Sequence, residues 1–150
     1  GVVDPNDRKS ATTLASFNRQ WWDVTIQEYL ESIKERLLTD SAIAVFHILR
    51  ERITSTDGHL RAKLEMANET FLEFSEYVQI GDEEEIEVKT YSYHWSDAKD
   101  QLIKRWDNTP HFPDLPNFPH HVHVGVEDKV ESGKQMSIFT VLDEIASYGK

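Results

Sequence analysis

Residues 105–125, RWDNTPHFPDLPNFPHHVHVG, hold four of the chain's seven histidines and four of its five prolines. With an ordinary pKa near 6.5, one imidazole can take a proton and a second can give one close to neutrality, while an adjacent Arg or Lys holds a phosphate anion. Cleavage of RNA through its own 2′-hydroxyl needs those parts and no metal. The candidates for proton transfer are His121 and His123, together with His94 or His111. Arg105 is the candidate cation and Asp107 the carboxylate that orients an imidazole. Tyr91, Tyr93, Lys104, Trp106 and His120 are the candidates for substrate binding, the tyrosines because an aromatic face can stack a base.

Two other chemistries fit the same residues. A His-x-His pair on a strand sets two imidazoles on one side, so His121 and His123, completed by His94, His111 or Asp107, could hold zinc or another divalent ion. Alternatively the histidines are structural, bonded to backbone carbonyls beside the prolines, and the aromatic, proline-rich surface is a non-enzymatic interaction module.

Strand parity decides which of these side chains can meet. In HHVHVGV, Val122, Val124 and Val126 share one face and His121 and His123 the other. In YSYHWS, Tyr91, Tyr93 and Trp95 oppose Ser92 and His94. In LIKRWD, Leu102, Lys104 and Trp106 oppose Ile103, Arg105 and Asp107. Two polar sets converge only if the strands pair in the right register, which periodicity leaves open.

The elements that carry them are read from hydrophobic period. Ile26, Tyr29, Leu30, Ile33 and Leu37 recur at helical spacing, and Thr25 with Glu28 makes a capping box, which predicts a helix from Ile26 to Leu38. SAIAVFHILRERITST predicts a long strand, Thr56-Asp57-Gly58 a tight hairpin turn, and HLRAKLEM, FLEFSEYVQI, EIEVKTYSYHW, QLIKRWD and HVHVGV further strands. SIFTVLDEIASYG closes as an amphipathic helix with Ser137 as N-cap and Gly149 near its end. Short turns between consecutive strands favour an α+β domain: a single curved antiparallel sheet of about five to six strands with an N-terminal and a C-terminal helix. Asn108 to Pro119 is expected as an ordered, surface-hugging loop in extended geometry, because its prolines lack N–H groups and hold their neighbours extended. Residues 1–24, with adjacent Trp21 and Trp22, read as an N-terminal extension, and residues 25–150 as the domain.

Composition excludes several functions. The chain has no cysteine, hence no disulfide, thiolate cage or cysteine nucleophile. No stretch approaches a membrane helix and no signal pattern opens the sequence, so a cytoplasmic protein is expected. A formal net charge of −11 opposes broad binding to phosphate backbones unless cations are concentrated in a small cleft.

The block TYSYHWSDAKDQLIKRWDNTPHFPDLPNFPHHVHVG, with its tyrosine-rich strand, "RWDN" and "FPHHVH" before a final helix, resembles the TumE-type toxins of prokaryotic type II toxin–antitoxin pairs. The resemblance runs from about Thr25 to Tyr148. It implies a growth-inhibiting toxin whose partner is a helix-turn-helix antitoxin. Many type II toxins cleave RNA, so class and residues together suggest a small endoribonuclease using His94, Arg105, Asp107, His111, His120, His121 and His123. RNA and a second copy of the chain are the remaining expected partners; a membrane is not.

Overall fold

A computed structural model describes residues 24–148. Helix α1 (Ile26–Thr39) is followed by strands β1 (Ile43–Ile53), β2 (Asp57–Met66), β3 (Phe71–Ile80), β4 (Ile86–Ser96), β5 (Leu102–Asp107), β6 (His121–Val124) and β7 (Lys129–Ser132), and by helix α2 (Ile138–Ser147). Every strand pairs antiparallel with its sequence neighbours, giving one open seven-stranded sheet in the order β1 to β7. The expected α+β architecture holds. The extra strand, β7, is the short and charged Lys-Val-Glu-Ser, too brief to show a period of two. Trp21, Trp22 and Gly149 lie outside the described residues.

Both helices start where their side chains cap the backbone. Thr25 accepts from the Glu28 N–H at 3.0 Å while the Glu28 carboxylate accepts from the Thr25 N–H at 3.1 Å. Ser137 and Thr140 make the same reciprocal pair at α2. The helices cover one face of the sheet, where Leu60, Ala62, Leu64, Leu72, Phe74, Tyr93, Trp95 and Trp106 are buried against Ile26, Leu30, Ile33, Ile138 and Val141. Arg36 ties the helices together through Asp143 at 2.8 Å. The opposite face carries no helix among the described residues.

Asp57-Gly58 is not the turn itself. The connection is Thr54–Thr56, whose Thr54 Oγ1 accepts from the Asp57 N–H at 2.9 Å, and Gly58 already pairs with Ile53 inside the ladder. Gly58 is glycine for another reason: a Cβ there would stand 2.7 Å from Ile26 Cγ2 and 3.2 Å from the Arg52 carbonyl oxygen, so α1 can approach β2 only without one. Gly58→Ala is therefore expected to lower unfolding stability by about 1–3 kcal/mol, read from the urea midpoint at unchanged slope. A midpoint equal to wild type would show that α1 can shift freely.

The proline segment also departs from expectation. It is ordered, but as successive turns rather than extended chain: Leu115 N–H donates to the Phe112 carbonyl at 3.1 Å, Phe118 to Leu115 at 3.3 Å and His120 to Asn117 at 2.9 Å. The prolines occupy turn positions that need no N–H, so the loop folds back over the sheet.

Candidate functional site

Register brings the polar parities of β4, β5 and β6 together on the open face. His94 stands opposite Arg105, and Arg105 opposite His123; in the next rung Ser92 faces Asp107, and Asp107 faces His121. Trp106 and Val122, on the intervening parity, are buried in the core beneath and fix this register.

Asp107 is the hub. Its Oδ2 accepts from Arg105 Nε at 2.9 Å and its Oδ1 from the Thr109 N–H at 3.0 Å. Burial alone would raise this carboxyl, yet those two hydrogen bonds, with the Arg105 charge nearby, hold it below the usual carboxylate range. His121 Nδ1 donates to the Pro119 carbonyl at 2.9 Å, because a carbonyl can only accept. Its Nε2 lies 2.8 Å from Asp107 Oδ1 but off the line a ring N–H would need, and is left buried with no hydrogen bond. His123 is fixed from the other side: its Nδ1 contacts Asp128 Oδ1 at 2.7 Å and its Nε2 lies 3.9 Å from Asp107 Oδ2. Phe112, carried over by the proline loop, packs edge-on against His121 at 4.9 Å and His123 at 6.0 Å between ring centroids.

Exposure separates the roles open to these groups. The His121 side chain is 2% exposed, whereas that of Arg105 is 37% exposed and that of His123 16%. His94 Nδ1 accepts a long contact of 3.4 Å from Arg105, and burial followed by the Arg105 charge pushes its pKa below the ordinary imidazole value. Two adjoining concavities, of 420 and 560 Å³, share His94 and Arg105, so a groove runs across this face. Arg61 beside it is paired with Glu73.

The remaining sequence candidates lie elsewhere. Tyr91, Tyr93 and Trp106 are buried on the helix face. Lys104 reaches Glu144 of α2, with its ammonium 5.1 Å above the Trp106 ring. His120 stacks on Tyr91 and meets its hydroxyl at 2.7 Å, beside a separate 620 Å³ cavity. None of these five faces the Arg105 groove. His111 is exposed in the loop, edge-on to Phe112 at 6.2 Å. His59, outside this set, bonds to Ser75 at 2.8 Å.

Two polar residues escaped the sequence reading. Asp128 becomes visible only with the β6–β7 hairpin, which Gly125 (φ 74°) and Asp128 itself (φ 55°) turn; the Gly-Val-Glu-Asp stretch was the available signal. Glu76 is a carboxylate on the apolar parity of β3, between Phe74 and Val78, and is fully buried under α2.

The fold and site thus define a class: an open antiparallel meander with two helices on one face and a histidine, arginine and aspartate groove on the other. Residues 33–148 match the model of the family described as Toxin TumE, and the chain belongs to that family. Membership supports a toxin role. No curated protein and no solved structure matches the chain. Among the described residues no helix is long and apolar enough to cross a membrane.

Proposed function

We propose that this TumE-family chain is the toxin of a type II pair, neutralised by a helix-turn-helix antitoxin in the cytoplasm, and that it acts as an endoribonuclease at the Arg105 groove. The observation that carries the reading is the row His94, Arg105, His123 on one open face, with Arg105 aimed by a buried carboxylate. In this reading Arg105 holds the scissile phosphate and His94 takes the proton of the attacking 2′-hydroxyl. The bond from phosphorus to the 5′-oxygen breaks, and His123 returns a proton to that oxygen, leaving a 2′,3′-cyclic phosphate and a 5′-hydroxyl. His121, too buried to meet substrate, positions Asp107.

Expression of the wild-type chain is expected to arrest growth, with rescue by the neighbouring antitoxin gene and no arrest from His94→Ala. Arrest by His94→Ala at equal protein level would remove His94 from the mechanism.

The pH profile carries a second expectation. A base must be unprotonated, and the His94 pKa is lowered by burial and by Arg105, so the acid limb of kcat/KM, where activity falls as His94 takes up a proton, should begin only below the ordinary imidazole value near 6.5. A decline that begins above pH 7 would assign the limb to another group.

A further inference from the structure

We infer that Asp107, His121 and His123 form a binding site for a divalent transition ion of the zinc class. One donor atom from each residue lies within 4.8 Å of the others. His121 Nε2 lies 2.8 Å from Asp107 Oδ1 and His123 Nε2 lies 3.9 Å from Asp107 Oδ2, on either side of the separation of roughly 3.3 Å that donors adopt around tetrahedral zinc.

The second observation is the orphaned nitrogen. A buried His121 Nε2 with no hydrogen bond, set against a carboxylate, is costly unless a cation takes its electron pair. Both imidazoles are held in the tautomer a metal needs. His121 gives its Nδ1 proton to a backbone carbonyl and His123 turns its Nδ1 to the Asp128 carboxylate, leaving each Nε2 directed at Asp107. Such outer partners orient and strengthen metal-ligating histidines. Arg105 and Thr109 each occupy one lone pair of the carboxylate and leave one on each oxygen. Phe112 supplies the apolar cover. Two imidazoles select an ion of the zinc, nickel or iron kind over magnesium or calcium, which prefer all-oxygen shells. Three protein ligands leave a coordination position open.

This inference stands on the triad and does not rest on the ribonuclease reading. A bound ion takes the electron pair with which His123 would carry a proton, so the loaded protein keeps His94 as the free imidazole of the groove.

The test uses the full chain, without a histidine tag, stripped with a chelator and titrated with Zn²⁺ by calorimetry, with Mg²⁺ as the contrast. The expected result is saturable binding of one ion per chain, weakened by about tenfold or more in Asp107→Asn and in His123→Ala and unchanged in His94→Ala. A rise in the wild-type melting midpoint with Zn²⁺ that His123→Ala abolishes gives the same answer if Asp107→Asn folds poorly. Absence of saturable binding, or binding that survives His123→Ala intact, overturns the site. Stripped protein that cleaves RNA without binding Zn²⁺ overturns this inference alone. Protein that binds Zn²⁺ but leaves RNA intact overturns the ribonuclease reading alone.

Discussion

Arg105→Ala is expected to slow RNA cleavage by about 10²–10³-fold, the loss that follows removal of one preorganised donor from a developing oxyanion. The guanidinium is held in place before substrate arrives, since its Nε is fixed to a carboxylate that is itself buried. Its outer N–H groups face the groove, where among the described residues only the long His94 contact competes for them. The fold should survive, because the side chain is 37% exposed and Asp107 keeps the Thr109 N–H; a stability loss of about 1–2 kcal/mol is expected. Arg105→Lys separates charge from geometry. An ammonium cannot reproduce the planar fork, so it should recover only part of the rate. Single-turnover kinetics on a short RNA check both variants, and wild-type rates in Arg105→Ala would place the phosphate elsewhere.

Glu76→Leu is expected to cost about 2–4 kcal/mol of unfolding free energy, although leucine matches its apolar neighbours. The carboxylate accepts from Tyr29 at 2.7 Å, from Tyr93 at 2.7 Å and from the Ile138 N–H at 2.6 Å. One buried group thereby satisfies the first turn of α2 and two hydroxyls, and ties α1, β3, β4 and α2 together. Leucine would take this acceptor away from all three donors in the core. Burial raises the Glu76 pKa against the hydrogen bonds that lower it, and burial, then the Glu76 charge, raise both tyrosines. A carboxyl with a raised folded pKa favours folding fully below its unfolded value near 4.5, and that contribution is lost as pH rises through the folded value. Glu76→Gln removes this pH dependence and can still accept from Ile138, so it should be far milder than leucine. Urea titrations across pH 4 to 8 measure both variants; a Glu76→Leu loss under about 0.5 kcal/mol would show that the network holds nothing.

Periodicity made the architecture legible because β2, β3 and the second half of β4 bury alternate residues, and the capping pairs at Thr25 and Ser137 marked both helix starts. It failed at β7, where four residues carry no pattern, and at Gly58, where a turn signal concealed a packing requirement with α1 that no local window contains. For the site, parity correctly divided Arg105, Asp107, His121, His123 and His94 from Tyr91, Tyr93, Lys104 and Trp106 but could not say which face the helices cover. That is why Tyr91, Tyr93 and Trp106 lie in the core and Lys104 against α2, while His120 borders a separate cavity. Exposure was equally out of reach: nothing in HHVHVG distinguishes a sealed His121 from an accessible His123, because the cover is Phe112, brought back by the turns of the proline loop.

RNA cleavage is proposed to take place in the Arg105 groove. Incubating the untagged chain with a defined single-stranded RNA and analysing the fragment ends tests it most directly. Wild type should release fragments ending in 2′,3′-cyclic phosphate and His94→Ala none above background. Intact RNA with correctly folded wild-type protein, or equal cleavage by His94→Ala, would contradict it.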